Sequence, residues 1–260
     1  MMVKYQPLIL LSNGLLRLIG NIVKLFSYPF HFCLPKKRFL IPPIREIKFN
    51  SAKSLSIPRI IWQTNYSNLV TLPIYCNYLI NRLFSLNFQY RYVSTEEREQ
   101  YIKQHAPKRL VSAYLQLTDG AAQADFWRLF VLYNEGGIYL DIDAHLVWNL
   151  NALIQTKDRE IFITRHQRYT NFFIASEKNH SILWEILMRI VDNIEKRRTE
   201  FGVYSLTGPD NFNEILTPYQ MNTRCDKYTC AQGTFSNEYF QYFDKKNGKW
   251  THKKSEELLK

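Results

Sequence analysis

The alternation of apolar and polar positions predicts strands and helices that follow one another from residue 57 onwards. Short apolar runs typical of buried strands lie at 57–64, 88–93, 138–141, 161–164 and 171–175. Helical spacing covers 72–84, 94–104, 107–116, 120–134 and 181–197. Alternating strands and helices indicate an α/β fold around a mostly parallel sheet, which binds ligands beyond the carboxyl ends of its strands.

Residues 8–32 predict one more helix, with an apolar face and a polar stripe. Asn13, Arg17, Asn21 and Lys24 recur at helical spacing. No uncharged apolar run is long enough to span a bilayer, and no signal-peptide cleavage site follows. Two interpretations remain: an interfacial membrane helix, or a helix packed on the protein core with its lysines in solvent.

Three prolines, Pro35, Pro42 and Pro43, predict a linker after this helix. We therefore expect a basic, apolar N-terminal segment and linker at 1–55, a compact domain at 56–244, and a basic tail at 245–260 that flanks or closes over the site. No internal repeat or low-complexity stretch is present, which excludes solenoid and collagen-like proteins.

The net charge of +11 over 260 residues is concentrated at the two ends of the chain. Residues 1–60 hold ten Lys and Arg against the single acid Glu46, whereas the middle of the chain is slightly acidic. This distribution favours an anionic membrane surface as partner and disfavours nucleic acid. Four scattered cysteines indicate free thiols in a reducing compartment, and we expect a cytoplasmic protein at the inner face of a membrane.

Asp141 and Asp143 follow the apolar strand 138–141, directly after the helix-ending pair Gly136 and Gly137. Carboxylate oxygens are the ligands that Mg²⁺ and Mn²⁺ prefer, and such an ion can neutralise a departing diphosphate. The alternative is a solvated acidic turn without a ligand.

Asp125 and Arg128 lie three residues apart, and so on one face, of the strongly apolar helix 120–134. A charged side chain buried in such a helix must pair with an opposite charge or take part in binding a ligand. The pair is therefore either a structural ion pair or part of a binding site. No phosphate-binding glycine loop, nucleophile elbow or HExxH motif occurs, and of the six histidines only His145 is close enough to the aspartate pair to line a site.

Read together, these motifs resemble glycosyltransferase family 32, which includes a yeast initiating mannosyltransferase and bacterial capsule and lipopolysaccharide sugar transferases, and is related to clostridial glucosylating toxins. The matching stretches are 57–64, Asp125-x-x-Arg128, Leu132-Tyr133, Gly136-Gly137-x-Tyr139-x-Asp141-x-Asp143, Asn171 to His180, and Thr207-Gly208-Pro209.

The resemblance implies a GT-A type, Rossmann-like fold that binds a nucleotide sugar, with Mn²⁺ or Mg²⁺ as cofactor. It implies that Asp143 binds the metal and that Asp141 supports it through water. The donor-binding residues that it implies are Trp62, Gln63, Asp125, Arg128, Gly137, Tyr139 and Asp141.

The sequence departs from the family pattern in its first strand and in its tail. Trp62 stands where the family has a histidine, and it can stack on the donor base or pack in the core. In the tail, Trp250 corresponds to a conserved tryptophan, Lys249 replaces a serine, and Asp244 is a candidate metal ligand in place of a histidine.

The resemblance implies a retaining, metal-dependent transfer of a hexose from a UDP- or GDP-linked donor to a glycan or lipid-linked glycan of a surface polysaccharide. It names no catalytic base. Alternatives are a toxin-like effector that glycosylates a protein, a catalytically inactive sugar-binding homologue, and a metal-dependent nuclease or phosphotransferase, which the neutral body of the chain disfavours.

Overall fold

The computed structural model describes residues 5–245, 248 and 253–260, and all structural statements concern these residues. Its helices are α1 Gln6–Cys33, α2 Leu72–Phe84, α3 Thr95–His105, α4 Lys108–Gln116, α5 Gly120–Glu135, α6 Leu150–Leu153, α7 Ser181–Glu195, α8 Gly202–Leu206, α9 Pro209–Leu216 and α10 Glu238–Gln241. Short 3₁₀ turns lie at Asp226–Tyr228 and Ser255–Glu257.

The strands are β1 Phe39–Leu40, β2 Ile44–Arg45, β3 Ile60–Thr64, β4 Leu69–Val70, β5 Gln89–Val93, β6 Gly137–Leu140, β7 Ala144–Leu146, β8 Glu160–Arg165, β9 Arg168–Ser176, β10 Thr223–Cys225 and β11 Cys230–Gln232. Seven of them form the central sheet in the order β10-β8-β9-β6-β3-β5-β2. The α/β class is confirmed, but the sheet is mixed: β3 is parallel to β5 and β6, whereas β9 is antiparallel to both its neighbours.

Side chains of the central strands alternate between two cores, as the period of a strand requires. Ile61, Ile138 and Leu140 face the core formed with α2, whereas Trp62 and Tyr139 face the core under α5 and α7. Helices therefore cover both faces of the sheet, and the loops at the carboxyl ends of β3, β5 and β6 remain free to form a cleft.

The helix boundaries follow local signals that the sequence carries. Ser94 accepts from the Glu97 backbone while the Glu97 carboxylate accepts from Ser94, which is the capping box expected at the start of α3. Gly136 and Gly137 take positive φ angles of 67° and 104° at the end of α5. A Cβ on Gly137 would lie 2.6 Å from the Ile60 carbonyl oxygen, so only glycine allows β6 to start against β3.

Residues before position 56 contribute a helix and two short strands to the folded unit. β2 pairs with β5 in the central sheet and β1 pairs with β4. α1 packs against α2 and the turn at Asp226–Tyr228, so it forms part of the folded unit. The prolines after α1 lead the chain into short strands, which have too few residues to show a period-2 pattern.

α1 is the one helix, among the residues described, that is long and apolar enough to cross a membrane by length and composition alone. The sequence analysis did not expect a spanning helix, because Arg17 and Lys24 interrupt the apolar run. The more apolar side of α1 faces away from the protein, with Leu11 70% and Phe26 66% exposed.

Candidate functional site

A cleft of about 490 Å³ opens at the carboxyl ends of β3, β5 and β6. Its floor contains Tyr139, Asp141 and Asp143 from β6 and the loop after it, and Arg128 from α5. The segment 232–245 lines its opposite side. The topology therefore places the predicted acidic pair where open α/β sheets bind their ligands.

The Asp141-Ile142-Asp143 loop is held rigidly by backbone contacts with elements around it. The Asp141 N–H donates to the Phe172 carbonyl at 2.9 Å, and the Asp143 carbonyl accepts from the Gly233 N–H at 3.1 Å. The buried Asn77 amide donates to the Ile142 and Ala144 carbonyls, both at 2.9 Å. These contacts fix the backbone from which the two carboxylates extend.

Gln232 bridges the two carboxylates. Its side-chain amide donates to Asp141 Oδ2 at 3.3 Å and to Asp143 Oδ1 at 3.1 Å. Removal from bulk water and the neighbouring charge of Asp141 raise the pKa of Asp143 to about 7. Two carboxylates that share one amide donor have an excess of negative charge, which a divalent cation would balance.

The described residues contain no cluster of three or more acidic, histidine or cysteine side chains that could hold a metal ion. Asp141 and Asp143 therefore offer carboxylate oxygens to a cation. Its other coordination positions would be filled by water and by the ligand. This donor set suits Mg²⁺ or Mn²⁺, which bind through one or two carboxylates together with phosphate oxygens.

Arg128 connects the two acidic motifs. Its Nη2 lies 3.0 Å from Asp125 Oδ1 and 3.1 Å from Asp141 Oδ1, and its Nη1 donates to the Asn171 carbonyl at 2.6 Å. The guanidinium also lies over the ring of Tyr139, 4.3 Å from the centroid. Arg128 thus contacts both aspartates, and it also lines the cleft.

Asp125 is buried and fully engaged. Besides Arg128, it accepts from Asn171 Nδ2 at 2.8 Å and from Thr207 Oγ1 at 3.0 Å. Burial raises its pKa to about 7, although the charge of Arg128 acts in the opposite direction. Thr207 and Asn171 lie in the two downstream stretches that resemble the family, and the structure shows that both converge on Asp125.

Tyr139 and Gln63 orient Asp141 from two sides. The Tyr139 hydroxyl donates to Asp141 Oδ1 at 2.8 Å. The Gln63 amide donates to the Asp141 carbonyl at 3.1 Å, and the Tyr90 hydroxyl donates to Gln63 Oε1 at 2.9 Å. Gln63 is fully buried, so it positions the acidic loop from beneath the cleft and does not line it.

Trp62 and Gly137 lie in the packed interior and not along the cleft. The Trp62 indole N–H donates to the Gly136 carbonyl at 3.0 Å, and the ring meets Trp127 edge to face. Of the two interpretations of Trp62, stacking on a donor base and core packing, the structure favours core packing. Gly137 allows β6 to approach β3 closely, because it has no Cβ to contact the Ile60 carbonyl oxygen.

Asp244 does not line the cleft and is engaged elsewhere. Its carboxylate pairs with the Arg38 guanidinium, which lowers the pKa of Asp244. The structure therefore gives Asp244 an arginine partner in place of the expected metal. Lys249 and Trp250 lie outside the described residues.

The two histidines that the sequence singled out have structural positions. His145 is buried with its ring against Phe235, and burial lowers its pKa to about 4. His180 begins α7, and its Nε2 lies 3.2 Å from Glu160 Oε2. Neither histidine lines the cleft.

Gln232 is a cleft residue next to the aspartate pair that the sequence did not indicate. It lies about ninety residues after the aspartate pair and reaches it because β11 pairs with β7, which follows the acidic loop. No local motif marks it. Its position in the site could be predicted only from the pairing of β7 and β11, which have three residues each.

Comparison with known proteins agrees with this geometry. Residues 73–160 match the family model described as "Glycosyltransferase sugar-binding region containing DXD motif". The initiation-specific alpha-1,6-mannosyltransferase of Schizosaccharomyces pombe is 23% identical over 213 residues, which are 69% of this chain and 53% of that protein. The chain thus spans about half the length of this curated relative.

Among solved structures, the PaToxG glycosyltransferase superposes with a TM-score of 0.51 at 21% identity, over 62% of this chain and 69% of that one. The ligand-free glycosyltransferase domain of the YGT toxin gives a TM-score of 0.40 at 14% identity, over 65% of this chain and 60% of that one. The first likeness shows a shared fold, and the second is too low to support any argument.

The mixed sheet, the acidic loop at its edge and the paired arginine define a GT-A type glycosyltransferase fold. The stretch that matches the family model contains Asp141-Ile142-Asp143, which has the form of the DXD motif named in its description.

Proposed function

We propose that this protein transfers a hexose from a nucleotide-diphosphate sugar to a glycan acceptor with retention of anomeric configuration. The observation that carries the proposal is the Asp141 and Asp143 pair on the cleft floor, with Arg128 3.1 Å from Asp141. An acidic pair next to a buried guanidinium suits a ligand that brings both a cation and a diphosphate.

The nucleoside would lie over the ends of β3 and β5. That part of the cleft is lined by Thr64, Asn65 and Tyr66 after β3 and by Thr95 and Arg98 after β5. These side chains offer hydroxyl, amide and guanidinium groups for a base and ribose. UDP and GDP both fit this chemistry, and the name of the yeast relative makes mannose donors a first choice to test beside glucose and galactose donors.

Asp143 would hold Mn²⁺ or Mg²⁺ directly and Asp141 would support it through water. When bound, the ion supplies charge that stabilises the departing diphosphate. Arg128 adds a fixed positive charge at the same place, and it needs no reorganisation because Asp125 and the Asn171 carbonyl already hold it. Tyr139 and Gln63 keep Asp141 oriented.

Retention requires the acceptor hydroxyl to attack on the face that the diphosphate leaves. A double-displacement route would need a carboxylate free to act as nucleophile. Asp125 contacts Arg128, Asn171 and Thr207. Asp141 and Asp143 would serve the metal. None of these three motif aspartates is therefore free to act as nucleophile, which supports same-face attack without a covalent intermediate.

The test is a panel of UDP- and GDP-sugars with Mn²⁺, read first by thermal shift and then by release of the nucleoside diphosphate. One donor should raise the melting temperature and be consumed slowly in water and faster with a glycan acceptor. If no donor binds, the protein is a homologue that has lost activity. If only a protein acceptor is modified, the toxin-like alternative is correct.

A further inference from the structure

A second cavity of about 490 Å³ adjoins the cleft, and Ala121, Arg128, Asp141, Arg165 and Gln232 line both. Asp125 lines the second cavity only. This cavity lies on the far side of Arg128 from the strand ends of β3 and β5. Its own walls come from the β8–β9 hairpin and from α8, α9 and the loop that joins them. The two cavities therefore meet at the point where the donor's sugar and diphosphate would join.

This second cavity carries aromatic rings. Tyr169, Phe172 and Tyr204 line it, and Tyr204 is 40% exposed. The exposed ring of Tyr204 and the half-buried ring of Tyr169 suit the apolar faces of a sugar, while Thr170 and Asn171 offer groups that bond its hydroxyls.

Contacts within the protein fix the wall of the second cavity at Tyr169. Asn213 holds the Tyr169 backbone on both sides, accepting from its N–H at 3.0 Å and donating to its carbonyl at 3.1 Å. The hairpin turns through His166 and Gln167, whose φ angles are positive at 49° and 64°. A tight turn of this kind fixes the register of the hairpin and so the place of Tyr169.

We propose that this second cavity is the acceptor site and binds a hexose of the acceptor glycan against Tyr169 and Tyr204. The inference rests on the proposed function, because it places the acceptor hydroxyl next to the donor sugar at Arg128. The ring faces of the acceptor would contact the tyrosines, and its reactive hydroxyl would point to the shared boundary.

The experiment uses methyl α-D-mannopyranoside and methyl α-D-glucopyranoside as probes. Saturation-transfer NMR on the full chain, without donor, should show one of them bound. Tyr169→Ala and Tyr204→Ala should each weaken binding ~10-fold, whereas Tyr219→Ala, an exposed tyrosine outside both cavities, should not. Where a donor is consumed, the same variants should weaken stimulation by the hexoside more than they weaken hydrolysis in its absence, whereas Tyr219→Ala should leave both unchanged.

Equal loss of donor hydrolysis and hexoside binding would assign the cavity to the donor and overturn the proposal. Hexoside binding that neither variant changes would also overturn it. Failure of every donor to bind contradicts the proposed function but leaves the NMR result readable, so the two hypotheses fail separately.

An independent observation concerns α1, whose outward side is its apolar side. Large apolar residues face solvent along the helix: Leu8, Leu11, Leu15, Leu18, Ile22, Leu25 and Phe26. The side packed on the protein is smaller and more polar, with Asn13, Gly20, Ser27 and His31 buried among Ile9 and Leu16. Soluble proteins place these faces the other way round.

Polar contacts hold α1 to the protein along its length. Ser12 Oγ donates to the Val147 carbonyl at 2.8 Å, and Asn13 Nδ2 donates to the Lys227 carbonyl at 2.9 Å. Near the other end, His31 Nε2 accepts from the Leu72 N–H at 3.1 Å. Because α1 is held to the protein near both of its ends, its axis would lie parallel to a surface that its outer face contacts.

The charged side chains of α1 and of the segment that follows it are all basic. Residues 5–45 contain no aspartate or glutamate, and Arg17, Lys36 and Lys37 are exposed. An apolar stripe flanked by cations complements an anionic lipid surface.

We infer that α1 lies in the plane of an anionic membrane leaflet, with its outer leucines among the acyl chains. α1 also touches the segment that lines the donor cleft, since the Asn237 amide donates to the Tyr28 hydroxyl at 2.8 Å. Docking through α1 therefore keeps the cleft close to the lipid surface, where a lipid-linked acceptor would be reached.

Flotation of the full chain with vesicles of phosphatidylcholine and phosphatidylglycerol tests this. Wild type should float, less at high salt. The combined variant Leu11→Gln, Leu15→Gln, Leu18→Gln and Ile22→Gln should bind ~100-fold less. Phe201→Gln and Tyr219→Gln, exposed elsewhere, should bind as wild type does.

Leu18→Trp provides a second measurement that does not depend on loss of binding. Lipids brominated in the upper acyl chain should quench its added fluorescence, and should not quench that of Phe201→Trp. Strongest quenching from the bilayer centre would indicate a spanning helix and contradict the in-plane inference. A dimer in sedimentation equilibrium that the glutamine variant abolishes, without vesicle binding, would make a second copy the partner instead.

Discussion

Arg128 Nη2 lies 3.1 Å from Asp141 Oδ1, which joins the Asp-x-x-Arg motif of α5 to the DXD motif after β6. The same nitrogen contacts Asp125 at 3.0 Å, so one guanidinium ties the two motifs into a single charged unit. Arg128 therefore has two roles to distinguish by experiment. One is as a partner of the buried acids, and the other is as a ligand of the donor phosphates.

We predict that Arg128→Lys weakens donor binding ~10-fold or more, because an ammonium group cannot contact two carboxylates and a phosphate in one plane. Isothermal titration with the donor and Mn²⁺ measures the effect. Arg109→Lys is the matched control, since Arg109 makes a comparable contact with Glu195 and Asp192 on the exposed face of α7. Unchanged affinity with a lower melting temperature would leave Arg128 a purely structural role.

A second prediction concerns Asp143 as the direct metal ligand. Asp143→Asn keeps the shape of the side chain but removes its charge, so donor turnover should fall ~100-fold. EDTA should abolish wild-type turnover, and added Mn²⁺ should restore it in wild type but not in the variant. Asp192→Asn, an exposed acid on α7, serves as control. Full turnover in EDTA would contradict a metal-dependent reaction.

A third prediction follows from the pKa of Asp125, which burial raises to about 7 from an ordinary value of 3.8. Between these values the folded protein keeps a proton that the unfolded chain releases. Raising the pH through this window therefore destabilises the fold, by about 1.4 kcal/mol per pH unit at most.

Melting temperatures of wild type and Asp125→Asn between pH 5 and pH 8 measure this effect, since the difference between the curves isolates Asp125 from the similarly shifted Asp143. The variant should lose less stability as pH rises. Parallel curves would mean that Arg128, Asn171 and Thr207 stabilise the ionised carboxylate enough to cancel its burial.

The sequence predicted the part of the site that is local in the chain. The motifs from Asp125 to Asp143 lie on one helix, its glycine stop and the next strand, so period and spacing locate them. Gln232 joins them only through the pairing of β11 with β7, and Thr207 reaches Asp125 only because α8 packs against α5. Such contacts depend on tertiary structure and leave no periodic signal.

The N-terminal segment shows a different limit of sequence analysis. Its helix was predictable: α1 packs on the protein, and its apolar face is exposed. The interfacial membrane helix stays a prediction. Periodicity shows that a helix has two faces but not which of them the protein covers. β2 was missed because two residues cannot show a strand pattern.

A fourth prediction tests the packing role of Gly137. Its φ of 104° and the 2.6 Å approach of an added Cβ to the Ile60 carbonyl oxygen make Gly137→Ala destabilising by about 2–4 kcal/mol. Gly14→Ala is the control in the opposite direction: no atom lies within 4 Å of its Cβ position in α1, so helix propensity should stabilise the protein by up to ~1 kcal/mol. Urea denaturation gives both values. A neutral Gly137→Ala would show that β6 shifts easily away from β3.

The last prediction separates the two interpretations of Trp62. The structure places its ring in the core against Trp127, with its N–H bonded to the Gly136 carbonyl at 3.0 Å. Trp62→Leu should therefore lower the free energy of unfolding by about 2–4 kcal/mol, because it removes buried area and a hydrogen bond. Donor affinity should change less than twofold at a temperature where the variant is folded. Tyr66→Leu, on the cleft wall beside the proposed base site, should give the reverse pattern. Loss of donor affinity in Trp62→Leu with stability unchanged would restore the stacking role that family resemblance suggests.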